Sequence, residues 1–505
     1  MATAKSNSVR ASTSRLWLLV AALPVVSVNA QPCSSCHAEV VKNYQKTAMA
    51  QSAGGKLAAS GAEFLHGLSS STMRVEIKNG RMTHTVRRDG LEASYPVALA
   101  IGSGRVGQSF AVLINEGLFQ SPISWYKQAL QWEVSPGFER ERHPDFDRPI
   151  TASCLFCHSS PGRSGPEAIG CERCHGDGAK HAAAPGKTNI IHPGRLRVEV
   201  RDAICEQCHL QGAARIVKMG KSERDYLPGM QMEDVFSIFV RQNEDFRVVS
   251  HAEQLKLSAC SLASADRLWC GTCHNPHPAS PASRADYRRR CESCHVGVKA
   301  KHSGTAEDCI GCHMPSRPVG DVAHTTYTDH RISKNPTNAQ GTRTAAQLKA
   351  WRQIDDGGRA LALAYAATGD LEAASSRLAA LVTQRSNDVE LLIAAGSVAL
   401  GLKRPQEALR YFGAARRLEP QVADHYFRQG LAHEAMGEIP GAAAAYREAL
   451  RRKKGFFDAA ARLANLERRG GDLAAYKRTL KSFLETMPQN LTIRKLLNEV
   501  SPSSR

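Results

Sequence analysis

Residues 171–181 read Cys171-Glu-Arg-Cys-His-Gly-Asp-Gly-Ala-Lys-His181. Two cysteines three positions apart, followed at once by a histidine, form the attachment spacing of a c-type haem. The cysteines add across the haem vinyl groups, and the histidine becomes an axial ligand of the iron. The triplet occurs seven times: Cys33-Cys36-His37, Cys154-Cys157-His158, Cys171-Cys174-His175, Cys205-Cys208-His209, Cys270-Cys273-His274, Cys291-Cys294-His295 and Cys309-Cys312-His313. Together the copies use fourteen of the fifteen cysteines. Chance would supply on the order of 0.02 copies in a chain of this composition. Zinc ribbons also use Cys-x-x-Cys pairs, but they need no histidine directly after each pair. Disulfides in an exported chain would use the cysteines and leave the histidines unexplained. The sequence therefore predicts seven c-type haems, with His37, His158, His175, His209, His274, His295 and His313 as proximal ligands.

The motifs fall between residues 31 and 340. That is about 45 residues per haem, so porphyrins would supply much of the core of such a module. Short helices and loops are expected around each motif. A small β insertion is expected at about 67–120. There Val75 and Ile77 alternate with polar residues, Asn79-Gly80 is a hairpin turn signal, and Met82, His84 and Val86 continue the alternation. Phe110 to Ile114, after Ile101-Gly-Ser-Gly104, is a further strand candidate.

Residues 1–30 carry Lys5, Arg10 and Arg15, an apolar run from Leu16 to Val28, and small residues at Val28-Asn29-Ala30. This predicts an export signal cleaved near Ala30 and a periplasmic protein with no membrane-spanning segment after cleavage. Export also suits covalent haem. The formal net charge is +18. Without the three cations of the signal it is +15, and fourteen haem propionates would bring it near zero. The basic balance is thus read as a cofactor signature rather than as a nucleic-acid or membrane footprint.

Residues 345–500 are alanine-rich and free of cysteine, with a 34-residue period. Gly369, Lys403, Gly437 and Gly471 share one phase, and Ala362, Gly396, Gly430 and Ala464 another. Ala374, Ala408 and Ala442 fill a third, and Leu378, Phe412, Tyr446 and Leu480 a large apolar one. Small residues at helix contacts with this period predict three to four tetratricopeptide repeats in a helical solenoid. The expected fold class is mainly α: a multihaem module with a small β insertion, then the solenoid. The solenoid either docks a redox partner protein or caps the haem module.

Ten further histidines lie between residues 31 and 345: His66, His84, His143, His181, His192, His251, His277, His302, His324 and His330. They suffice to give each of seven irons a second imidazole without requiring it. Several stand in recurring contexts: Phe64-Leu65-His66, the Cys-His-Gly stretch ending at His181, Cys-His-Asn-Pro-His277, and Thr328-Asp-His330. With Ile101-Gly-Ser-Gly104, Ser124-Trp-Tyr126, Ser135-Pro-Gly137 and Cys312-His-Met-Pro315, the chain resembles multihaem cytochromes related to hydroxylamine oxidoreductase and its tetrahaem electron acceptor. More narrowly, it resembles exported fusions of such a module to tetratricopeptide repeats. The resemblance implies closely stacked haems with distal ligands from distant sequence. On it, His66, His181, His251, His277, His302, His324 and His330 are the favoured distal ligands, ahead of His84, His143 and His192. Relatives often carry a histidine about a dozen residues after the first motif; here Thr47-Ala-Met49 stands instead. Met49 is either an iron ligand or a packing residue. Cys260, outside every motif, is read as a small buried residue.

Three functions follow as expectations. The first is electron transfer through the haems. The second is oxidoreductase chemistry on a small nitrogen or sulfur compound at one open haem. The third is a redox scaffold organised by the repeats.

Overall fold

The computed structural model describes residues 30–54, 60–158, 160, 168–186, 189–241, 246–264, 267–278, 280, 282–296, 308–333 and 347–500. The expected export signal up to residue 29 and the candidate ligand His302 lie outside the described residues.

The β structure is larger than the small insertion expected. Eight strands run from residue 62 to 134: β1 Ala62–His66, β2 Ser71–Lys78, β3 Arg81–Arg88, β4 Leu91–Ile101, β5 Gly107–Ile114, β6 Gly117–Gln120, β7 Ile123–Tyr126 and β8 Gln131–Val134. They pair antiparallel in the order β1-β2-β3-β4-β5-β7-β8, with β6 beside β5. β8 comes back against β1, and Trp132 Nε1 donates to the Ser60 carbonyl at 2.9 Å, so the sheet is a nearly closed barrel. Asn79 and Gly80 have φ of +52° and +72°, the mirror-image two-residue turn whose twist matches a hairpin. Asp89 and Gly90, at +54° and +73°, make a second such turn between β3 and β4. Met73, Val75, Met82, His84, Val86, Phe110 and Val112 are buried in the barrel.

From Arg359 the chain is helical. Four antiparallel pairs follow: Arg359–Ala367 with Leu371–Gln384, Val389–Gly401 with Pro405–Leu418, Ala423–Ala435 with Ile439–Arg452, and Phe457–Arg469 with Leu473–Leu484. Leu491–Val500 closes the array. The 34-residue period has a physical cause at two positions. Gly369, Lys403, Gly437 and Gly471 lie in the left-handed region, φ +58° to +80°, where each pair turns. A Cβ on Gly396 would meet the Phe412 ring at 2.4 Å, and one on Gly430 the Tyr446 ring at 2.3 Å. Where the partner is Leu378 or Leu480 instead of an aromatic ring, alanine fits at residues 362 and 464. This is a tetratricopeptide-type solenoid of four repeats.

The solenoid is packed at both ends. Ala360, Leu363, Leu378 and Leu391 share a core with Ala214, Phe239 and Leu348, where strand Phe236–Val240 pairs with Ala214–Val217 and Lys349–Ala350. At the other end Tyr476, Leu480, Phe483, Leu491 and Ile493 belong to the same apolar cluster as Met73, Phe110 and Trp132 of the barrel. Gln489 bonds the backbone of Ser94 twice, at 2.7 Å and 3.0 Å. Buried Asp145 accepts from Leu491 N at 2.6 Å, at the N-terminus of the last helix. The barrel therefore caps the last repeat, which solenoids otherwise leave to a polar terminal helix.

Candidate functional site

Six of the seven motifs sit on or at the end of a helix that closes with them, and the first lies inside a longer one. His37 breaks the helix Ala30–Tyr44, with φ −119° and ψ 39°. Cys154 lies in Ala152–Phe156 and Cys157 follows its last residue, while Cys174-His175 end Glu172–His175. Cys205, Cys208 and His209 finish Val198–His209, and Cys291 lies in the last turn of Arg284–Glu292. Cys270–Cys273 and Cys309–His313 are helices made of the motifs themselves. Helices of four or five residues are not stable alone, so packing against something else holds them. Among the described residues no two cysteines are joined in a disulfide. Cysteines of different motifs approach one another: Cys33 faces Cys171, Cys157 faces Cys208, Cys205 faces Cys270, and Cys291 faces Cys309.

The tertiary structure brings histidines together in twos. His37 lies 6.3 Å from His181 between ring centres, with planes 12° apart. His175 lies 5.8 Å from His277, and His274 lies 6.1 Å from His330. His209 lies 5.3 Å from His251, which is also 4.8 Å from His330. Two imidazoles bound to one metal at about 2 Å each have ring centres about 6 Å apart. Four motif histidines thus each face one of the spare histidines His181, His251, His277 and His330. Among the described residues, no three or more His, Cys, Asp or Glu side chains converge as a metal cage. Histidines in pairs suit a metal that brings the rest of its own coordination.

Hydrogen bonds select which ring nitrogen is presented. Nδ1–H of His175 donates to the Ile191 carbonyl at 2.8 Å, and that of His313 to the Ser333 carbonyl at 2.9 Å. His330 Nδ1–H donates to the Thr328 carbonyl at 2.9 Å, and His277 Nδ1–H to Asn275 Oδ1 at 3.0 Å. His274 Nδ1 meets the Tyr287 hydroxyl at 3.2 Å. Such bonds fix the ring and its tautomer, so that Nε2 carries the lone pair. Burial pushes the pKa of His251 down to about 3 and that of His274 to about 4, and lowers His209, His277 and His330. These rings are held neutral, the form with a lone pair to give.

Other candidates are placed differently. His84 is in the barrel core, with Nδ1 on Ser121 Oγ at 2.7 Å and Nε2 on Met82 Sδ at 3.2 Å. His66 stands in β1 with Nδ1 on Ser69 Oγ at 2.8 Å. His324 directs Nε2 to Glu133 at 2.7 Å, against the Tyr126 ring. Neither His66 nor His324 is brought to a motif histidine among the described residues. Met49 is half-buried in the turns after the first motif helix. Cys260 is half-buried near Cys273, Cys291 and Cys294. The arginines that line the motif region, Arg173 and Arg215 foremost, carry no sequence signal, although Arg173 lies between the two cysteines of the third motif.

No family model matches the chain, and no curated protein matches it. Among solved structures it is similar to MamA, 18% identical over 29% of this chain and 85% of that one, with a TM-score of 0.25. A MamA from Desulfovibrio magneticus RS-1 is 21% identical over 28% and 75%, TM-score 0.23. The thermophilic tetratricopeptide-repeat protein TTC0263 of Thermus thermophilus is 21% identical over 28% and 77%, TM-score 0.24. With scores this low, the assignment of the solenoid stands on its own helix pairs and period.

Proposed function

We propose that the protein is an exported multihaem cytochrome that carries electrons between redox partners. One haem would be attached at each of the seven motifs, and the solenoid would dock a partner protein. The observation that carries this reading is the facing of four motif histidines by four histidines from distant sequence, at the separation two axial ligands need. Haem supplies a one-electron couple whose potential depends on its ligands and burial. The chain does the rest. His37, His175, His209 and His274 would bind from one side, and His181, His277, His251 and His330 from the other. Ile191, Thr328 and Asn275 orient the imidazoles. Approach of cysteines from the first and third, second and fourth, fourth and fifth, and sixth and seventh motifs would keep those sites close. Distal roles for His66, His302, His324 and Met49 remain part of the proposal, as does the periplasmic location.

A second reading, oxidoreductase chemistry at one open haem, is favoured by His158 and His295. No second histidine is placed against either among the described residues, and His158 Nδ1 is buried without a hydrogen-bond partner. Two measurements test the pair of readings. A pyridine haemochrome assay on the exported protein should count seven haems, and a count near zero rejects both. A carbon monoxide difference spectrum of the reduced protein should show no Soret change for pure electron transfer. A change worth one haem in seven selects the enzyme.

A further inference from the structure

Buried donors around one aromatic ring have no acceptor. Phe156, beside Cys157 of the second motif, lies under two guanidinium groups, with Arg173 Cζ 4.2 Å and Arg215 Cζ 5.0 Å from its ring centre. Arg215 also stacks 3.9 Å over Phe236. Tyr226 completes the cage, with ring centres 6.5 Å from Phe156 and 6.2 Å from Phe236. Each guanidinium is anchored by one backbone carbonyl. Arg173 Nη2 donates to Phe156 O at 2.7 Å, and Arg215 Nη1 donates to Gln207 O at 2.9 Å. The other buried nitrogens, Arg173 Nε and both Nε and Nη2 of Arg215, find no hydrogen-bond partner, and neither does Tyr226 Oη. Arg173 is 3% exposed and Tyr226 is fully buried.

The acids nearby are engaged elsewhere. Glu206 pairs with Arg352 at 2.7 Å, and Glu223 accepts from the Ser153 hydroxyl. Two cations are thus held side by side in a low-dielectric place with donors to spare. Aromatic faces offset part of that cost but cannot accept these N–H bonds in full. An anion with several oxygens would satisfy them, since a guanidinium fork fits a carboxylate or an inorganic oxyanion and a phenol adds a third donor.

We propose that Arg173, Arg215 and Tyr226 form a binding site for an oxyanion group. Two sources share that chemistry. One is a propionate of a haem attached at a motif other than the second or fourth, because a haem's propionates lie on the edge opposite its thioether bonds. The haems of the second and fourth motifs would meet this site by their thioether edges, since Cys157 Sγ approaches Gln207 O at 3.9 Å, the carbonyl that anchors Arg215, and Cys157 in turn faces Cys208. This branch rests on the haem reading above. The other source is a diffusible oxyanion such as nitrite or sulfate.

The test uses the full-length exported protein, its Arg215→Gln and Tyr226→Phe variants, calorimetric titration with nitrite and with sulfate, and a spectropotentiometric titration of the haems. If the anion is diffusible, the wild type binds one of the two salts saturably, and both variants weaken it about tenfold or more. If the anion is a propionate, neither salt binds. Arg215→Gln then lowers the midpoint potential of one haem, because a removed cation no longer favours the reduced iron, and Tyr226→Phe lowers it less. The proposal is overturned if a variant with wild-type haem content and melting temperature changes neither anion binding nor any potential. Should Arg215→Gln fail to fold, Tyr226→Phe, which removes one oxygen and no charge, decides by the same two readouts. The haemochrome count separates the two claims: salt binding without haem leaves this site standing and removes the haem reading.

Discussion

The motif-bearing region and the solenoid solve the same problem by different means. The solenoid makes its own core. Its paired helices are nine to fourteen residues long and bury a repeating set of alanines against Phe412, Tyr446 and Leu480. The motif region has helices of only four or five residues at four of its motifs, and it exposes Leu257, Leu262 and Val296 near the fifth and sixth motifs. Its largest apolar cluster, around Phe156, Tyr226 and Phe236, is crossed by two arginines. One region is stabilised by side chains; the other is arranged as a shell around paired histidines. Small alternations of side-chain size suffice to specify the first. The second leaves its shortest helices to be held by contacts beyond their own length. The barrel belongs with the solenoid in this respect, since the two share one apolar cluster.

Four experiments bear on this contrast. On the proposed haem reading, the largest effect is expected when haem attachment is prevented. The motif-bearing segments 152–209 and 251–333 should then be digested in limited proteolysis, while the barrel, the solenoid and the strands Ala214–Val217 and Phe236–Val240 that pack on its first repeat persist as one protected body. Digestion of both together would show that the two regions are not independent. Next, Gly430→Val should cost about 1–3 kcal/mol, because the new side chain enters the Tyr446 ring. Thermal melting followed at 222 nm measures it, and a loss confined to the haem spectrum would contradict the assignment.

The third effect is a pH dependence at the barrel–solenoid junction. Burial raises Asp145 from 3.8 to about 6, against bonds from Phe146 and Leu491 and the charge of Arg88. Asp147 beside it is raised to about 7, and Asp89, Lys495 and His143 lie around the same seam. The folded junction therefore holds a proton that the unfolded chain has released. The stability from Asp145 is fully present below about pH 4 and is lost as pH rises through about 6. Melting temperatures between pH 4 and 7 should show this slope in the wild type and a shallower one in Asp145→Asn. The smallest effect is a gain. Lys403 occupies the left-handed turn that glycine fills in the other three repeats, so Lys403→Gly should stabilise the solenoid by about 0.5–1 kcal/mol. An unchanged melting temperature would mean that its neighbours already relieve the strain.

Much of this organisation was legible one residue at a time. Asn79-Gly80 announced its hairpin because both positions accept positive φ. Asp89-Gly90 carried the same signal and could have extended the barrel. β7 and β8, four residues each, have no such marker, because they are held by neighbours across the sheet rather than by local preference. The ten spare histidines show the same limit. Spacing gave His181 and His277 suspicious positions, but no local pattern separated His84, buried in the barrel core, from His251 against His209; only the resemblance ranked His251 ahead.

Local pattern was enough for the Cys-x-x-Cys-His spacing, repeated seven times, and for the 34-residue register of the repeats. A Cys-x-x-Cys-His triplet spans five neighbouring residues, and a turn must fit one left-handed residue, so a few neighbouring positions carry each signal. Which histidine faces which, the closing of the barrel over the last repeat, and the meeting of Arg173, Arg215 and Tyr226 around Phe156 were settled only on folding. Those are contacts between residues far apart in the chain, set by packing and by the cost of burying charge, and no local pattern encodes them.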